Sequence, residues 1–409
     1  MQSHGTEPRF FYGYIVVLAC FIIMLIAWGA SFSFGVFFEP LLVEYGWTRA
    51  MTSGTFSLSM ILMGLLSMGM GRVNDSVGPR IVMVVSGLFL GLGYLLMSQV
   101  HAIWQLYLFY GVMIGIGMSG AFVPVLSTVA RWFVKRRALM TGITTSGMGI
   151  GTIITPLIAS WLISGHGWRD SYAIVGITTL ILIILVAQFL RRDPSQKGQL
   201  PYGAGEVKVE DSGQATGGFS LWEAIHTRQL WMLAGVYFCA FFFIIAMLVH
   251  IVIYATGQGI STTDAASILA IIGGVSIVGM TVTGNVADRI GNKSALIING
   301  VLLIIAASWL LAATELWRLY LFAIIFGFAY GGITAVQSPI TADLFGLRSH
   351  GVILGLVFFI GTFANASGPF VAGHIFDTNG SYYVAFLIFI GTTIVSLILA
   401  SLLKPTRKN

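Results

Sequence analysis

Apolar runs long enough to cross a bilayer follow one another along this chain. They fall at roughly 12–38, 50–71, 80–100, 103–131, 137–163 and 171–190, then at roughly 228–256, 263–285, 293–313, 315–342, 350–376 and 381–403. About 20 residues of helix span the hydrocarbon core, and lipid offers no hydrogen bonds to bare backbone. Such runs are therefore helices or strands of a closed barrel. Barrel strands alternate apolar and polar residues, and these runs are apolar throughout. The sequence reads as twelve transmembrane helices. Only 9% of residues are charged against 57% hydrophobic, too few to cover a soluble globule.

Between the two sets of six runs lies the longest polar stretch. This divides the chain into an N-terminal six-helix bundle (1–190), a linker (191–227) and a C-terminal six-helix bundle (228–409). The linker reads as flexible and ends in a short interfacial helix. Ser220 and Glu223 there have the spacing of a capping box, with Leu221, Trp222 and Ile225 placed for the membrane surface. Its net charge of +6 invites a nucleic-acid reading, but the cations sit in short loops between apolar spans and form no basic stripe. Eighteen of the twenty-one Lys and Arg fall on the side that holds both termini, among them Arg9, Lys208, Arg407 and Lys408; Arg49, Arg169 and Arg318 fall on the other. The positive-inside rule then puts both termini in the cytoplasm. Cys20 and Cys239 lie inside apolar runs, so neither a disulfide framework nor a metal site is expected. The first run is too long for a cleaved signal and is read as a retained anchor.

The two sets of six are copies. Gly46 and Gly259, Gly71 and Gly284, Asp75 and Asp288, Gly78 and Gly291, Gly142 and Gly355, Pro156 and Pro369, and Gly167 and Gly380 all stand 213 residues apart. Fifty glycines make any single match weak, but the Asp and Pro matches at the same offset are hard to dismiss. Six crossings return the chain to its starting side, so the copies are parallel. Two such halves facing each other leave a solute pocket at the midplane. The fold class is an all-α membrane protein of twelve helices in two parallel six-helix repeats.

The strongest motif is "GRVNDSVGPR" at 71–80, echoed by "GNVADRIGNK" at 284–293. Each has an acid four residues after a glycine and a base five residues after the acid, placed in the loop after the second helix of its half. The glycines permit a tight turn and close helix approach. The carboxylate has two natural partners, a neighbouring helix N-terminus or a cation, and either would latch the halves together. An ordinary capped turn explains one copy alone, but less readily two in register.

This loop resembles the signature of the major facilitator superfamily, and the resemblance covers essentially the whole chain. The stretches "FYGYIVVLACFIIM", "FSFGVFFEPLLVEYGWTRA", "ARWFVKRRALMTGITTSGMGIG", "HIVIYATGQGIS" and "SILAIIGGVSIVG" are similar to its bacterial monocarboxylate-porter and oxalate/formate-antiporter group. The resemblance implies a major facilitator fold and alternating access. It also implies gate roles for Asp75, Arg80, Asp288, Arg289 and Lys293 on the cytoplasmic face. Ser76 stands where a base is usual, which implies a weaker latch in the first half. Met280 stands where the group commonly has an arginine that pairs with the substrate carboxylate. A methionine cannot neutralise a buried anion, and taking a bare carboxylate into low dielectric costs several kcal/mol or more.

The remaining candidate substrate contacts are polar or aromatic. His250 is the most membrane-embedded ionisable group, a candidate proton carrier, although it lies only about two turns from the end of its run. The superfamily's cavity-lining first and fourth helices of each half supply Trp28, Ser31, Ser119, Tyr330, Thr334 and Gln337. Ser276, Met280, Phe359 and Asn365 come from neighbouring helices. "GIGMSG" at 115–120 fits a dinucleotide-binding pattern, but it lies within a span, where glycines serve helix packing. Gly147 and Gly151, four apart, are expected to press their helix against a neighbour. The chain is therefore expected to be a non-enzymatic secondary transporter of a bacterial inner membrane, monomeric, touching lipid and a small solute. It needs no prosthetic group or metal, and a proton is the coupling ion. The expected cargo is a small monocarboxylate of the lactate or pyruvate type. An uncharged or amphipathic solute, as in efflux, and a transporter-like membrane sensor are the other readings the residues leave open.

Overall fold

The computed structural model describes residues 11–204 and 218–404. Arg9, Lys208, Arg407, Lys408 and the linker's residues 205–217 lie outside the described residues. Eleven helices among the described residues are long and apolar enough to span a membrane. One of them, Arg137–Ala187, has 51 residues. At 1.5 Å per residue it would run about 75 Å, more than twice a hydrocarbon core. It breaks at Gly167, whose φ of 78° and ψ of 165° are not helical. Counted as two crossings, it brings the total to twelve.

The spans are α1 (Gly13–Tyr45), α2 (Arg49–Ser76), α3 (Pro79–Met97), α4 (Ile103–Trp132), α5 (137–166) and α6 (168–187). The second half comprises α7 (Arg228–Gly257), α8 (Thr262–Ile290), α9 (Asn292–Leu310), α10 (Leu316–Phe345), α11 (His350–Asn379) and α12 (Tyr383–Leu402). Each half has its own buried apolar cluster. Met280, Ala335 and Leu354 of the second half join the first half's cluster, and Ala138 joins the second's, so the two cores meet at the centre.

Local chemistry repeats with the same 213-residue offset. Thr48 Oγ1 accepts the Met51 N–H at the start of α2, and Ser261 Oγ accepts the Asp264 N–H at the start of α8. The loop glycines Gly46 and Gly259, Gly78 and Gly291, and Gly167 and Gly380 all have positive φ, which a side chain would strain. Inside the first half, Gly147 and Gly151 lie against the Phe21 and Leu25 carbonyls, so α5 presses on α1 as expected. The glycines of 115–120 pack α4 against α2 and α3, the packing role.

Two expectations are corrected. Asp75 and Asp288 are not in loops: α2 and α8 continue to Ser76 and Ile290, so each acid sits in the last turns of its helix. The linker is also less free than its composition suggests. Tyr202 donates its N–H to the Trp132 carbonyl at 2.9 Å and accepts from the Val134 and Lys135 N–H groups, with its ring packed on Phe133. Residues 191–204 thus fold back on the first half, while Leu221–Ile225 forms the capped short helix, with Trp222 72% exposed.

Candidate functional site

A carboxylate in the last turn of its own helix meets the negative end of that helix's dipole, so it needs compensation. Asp288 finds it across the molecule. Its two oxygens accept the backbone N–H groups of Ala138 and Leu139 at 2.9 Å each. These are among the first N–H groups of α5, which lack partners within any helix, and Arg136 at the N-cap supplies no side-chain bond. Asp288 of the second half therefore caps a helix of the first, as an N-cap side chain would.

The first half returns the contact. Asp75 accepts the N–H of Val352 at 3.2 Å in the first turn of α11, whose own N-cap Ser349 likewise makes no side-chain bond. Leu139 and Val352 stand 213 residues apart, like Asp288 and Asp75. Asp75 also forms an ion pair with Arg131 at 2.8 Å, both side chains 10% exposed, and accepts from Ser127 Oγ at 3.4 Å. The first latch is the more heavily partnered, contrary to the expectation drawn from Ser76. Ser76 Oγ instead bonds the carbonyls of Arg72 and Val73.

Glycine makes this closeness possible. A Cβ on Gly71 would lie 2.3 Å from the Gly351 carbonyl oxygen, and one on Gly284 would lie 2.5 Å from that of Ala138. One turn of α5 or α11 deeper, a Cβ on Gly142 would meet the Met280 oxygen at 2.2 Å, and one on Gly355 would meet Met68 Cα at 2.7 Å. The repeated glycines inside the spans are the seam between the halves.

The other motif cations stand apart from this seam. Arg80 and Arg289 are exposed, and Lys293 Nζ donates to the Leu403 carbonyl at the end of α12 in its own half. Around the latch the structure places groups the sequence did not single out. Arg137 donates to the Ala130 and Phe133 carbonyls and faces Asp343 of α10 at 3.7 Å, and Asp343 accepts from Asn292. His350, the repeat counterpart of Arg137, is fully buried with Nε2 on the Ser338 carbonyl at 3.0 Å.

Nearer the middle, Phe122 of α4 stacks on Phe358 of α11 at 4.7 Å, and Trp28 of α1 packs edge-on against Phe122 at 6.0 Å. Ser338 Oγ reaches the Leu126 carbonyl, one turn along α4 from Phe122, at 3.4 Å. Trp28 Nε1, Ser31 Oγ, Gln337 Oε1 and Asn365 Oδ1 are buried polar atoms with no partner. Asn365 follows Phe358 by two turns on the same face of α11. Tyr330, Thr334 and Gln337 share a face of α10, where Thr334 Oγ1 donates to the Tyr330 carbonyl. Ser276 and Met280 border the same helix, since a Cβ on Gly331 would lie 2.0 Å from the Ser276 oxygen and 2.8 Å from the Met280 nitrogen. Met280 is fully buried. Ser119 and Ser276 donate to carbonyls in their own helices, and Phe359 packs on Phe363.

His250 stands apart. Pro369 O can only accept, so Nε2 carries a proton toward it at 2.9 Å, and Nδ1 meets the Tyr382 hydroxyl at 3.0 Å. Both ring nitrogens are occupied in tying α7 to α11 and to the residue before α12. Cavities of about 320 Å³, bordered by Tyr254 and Tyr382, and about 400 Å³, bordered by Arg169 and Ser98, lie near span ends and contain none of the midplane candidates.

Comparison with known proteins places this architecture. A family model described as Major Facilitator Superfamily matches residues 20–314 and 284–409. The chain is 26% identical over 439 residues to mouse monocarboxylate transporter 12, covering 99% of this chain and 88% of the relative. It is 28% identical over 419 residues to the oxalate:formate antiporter of Oxalobacter formigenes, covering 99% and 94%. Among solved structures, the human organic anion transporter MFSD10 (TETRAN) superposes with a TM-score of 0.74 at 17% identity, covering 96% of this chain and all of that one.

Proposed function

The chain belongs to the major facilitator superfamily, and on that premise we propose that it is a secondary carrier moving a small monocarboxylate with a proton by alternating access. The observation that carries this reading is the reciprocal latch. Two acids related by the repeat each cap the first turn of a helix in the opposite half, Asp288 on α5 and Asp75 on α11. Hydrogen bonds to a charged group contribute about 1.5–3 kcal/mol each, strong enough to hold one face closed and weak enough to exchange against solute binding. Arg131 is the latch cation, and the exposed Arg80 and Arg289 are peripheral to it. The cation bias places the latched face in the cytoplasm of a bacterial inner membrane. Substrate class is suggested by the named relatives, a monocarboxylate transporter and an oxalate:formate antiporter. The midplane candidates are Trp28, Ser31, Ser119, Ser276, Met280, Tyr330, Thr334, Gln337, Phe359 and Asn365. His250, with both nitrogens tied, serves better as a strut than as a proton carrier.

A second reading, transport of an uncharged or amphipathic solute, is favoured by Met280, which brings no charge to the centre. Purified protein in liposomes, given labelled lactate and an inward proton gradient, decides between them. Accumulation above equilibrium that collapses with the gradient supports proton-coupled carriage. Lactate binding without accumulation marks a sensor, and neither binding nor uptake leaves the uncharged-solute reading.

A further inference from the structure

The centre of this protein carries no formal charge. Every Asp, Glu, Lys, Arg and His in the described spans falls within the first or last two turns of its helix. What the centre does hold is unpaired hydrogen-bonding capacity. Trp28 is 8% exposed and its Nε1–H is a donor without an acceptor; Gln337 is 1% exposed and its Oε1 is an acceptor without a donor. Asn365 adds a second amide oxygen in the same condition, two turns from the Phe122–Phe358 stack. An indole N–H cannot accept, and buried polar groups left unpaired each cost about 1–3 kcal/mol, so a bound solute that satisfies them gains that much.

A carboxylate fits this set poorly. It only accepts, so it leaves both amide oxygens unpaired, and no cation is present to offset its desolvation. The undissociated acid fits well, because its carbonyl accepts from Trp28 while its O–H donates to an amide oxygen. Resting on the carrier reading above, we infer that the midplane site binds its solute uncharged, so that a monocarboxylate crosses as the undissociated acid and its coupling proton travels on the solute. The acid releases that proton on the far side. One proton moves per carboxylate and no net charge crosses, without a titrating side chain at the centre.

The test uses lactamide, the uncharged amide of lactic acid, on the purified full-length protein. Calorimetric titration is expected to give lactamide the same affinity at pH 6 and pH 7.5, whereas the affinity for total lactate falls about tenfold per pH unit in step with the undissociated fraction. In liposomes, lactamide should inhibit lactate uptake equally at both pH values. Trp28→Phe, which keeps the aromatic contact and removes the donor, should weaken lactamide by about three- to tenfold. Lactate binding that persists at pH 7.5 while lactamide fails to bind overturns the inference. Lactamide binding without any lactate transport upholds the uncharged site and overturns only the choice of monocarboxylate.

Discussion

Replacing Asp75 by alanine is expected to open the latched face. In the closed arrangement the substitution removes the acceptor for the Val352 N–H and leaves Arg131 buried without its carboxylate. Breaking one side of a buried ion pair costs about 3–5 kcal/mol, and Arg131 recovers hydration only if the halves part. Even about 3 kcal/mol shifts a two-state equilibrium roughly a hundredfold. Spin labels at the exposed positions Arg72 and Arg348, one in each half on this face, report the change. A single short distance in the parent should become mainly a longer one in Asp75→Ala. Asp75→Asn keeps an acceptor and loses the charge, so it should fall between. An unchanged distance distribution in Asp75→Ala would mean that the latch does not hold the face closed.

Gly71→Val is expected to act in the same direction by sterics. The new Cβ would meet the Gly351 carbonyl oxygen at 2.3 Å and the carbon at 2.5 Å, both backbone atoms that no rotamer change can move. The halves must separate, and the separation stretches the Asp75–Val352 bond as well. Overpacking costs about 1–3 kcal/mol, and a backbone obstacle belongs at the upper end, giving at least a tenfold fall in transport rate. Gly69 on the same helix supplies the control, because a Cβ there meets nothing within 4 Å. Gly69→Val should leave transport within twofold. Equal losses at the two positions would contradict the seam.

Much of this was legible before any coordinates. The offset of 213 residues, the parallel halves and the two acids are properties of order along the chain. The glycine pairs were equally visible, but their two jobs were not. Gly78 and Gly291 turn the chain, whereas Gly71 and Gly284 admit a backbone from the other half, and only the distance between halves tells these apart. The base five residues after each acid drew attention through nearness in sequence. Gly78 lies between Asp75 and Arg80, and the chain turns there so that Arg80 faces solvent. The true partner, Arg131, arrives from the end of α4 and has no basic counterpart at 344. Applying the offset to Arg137 would have found His350. Nothing in the order of 29 phenylalanines marks Phe122 and Phe358, whose contact depends on two helices from different halves.

Alternating access makes one demand that a single closed face cannot satisfy: the two faces must open in opposition. Label pairs at Arg72 and Arg348 on the latched face, and at the exposed Val43 and Gln258 on the other, measure both gaps in the same reconstituted protein as solute is added. The expected result is reciprocity, the 72–348 distance lengthening as 43–258 shortens, with no population in which both are long. Independent variation of the two distances, or transport with both fixed, would contradict a carrier whose halves rock about the midplane.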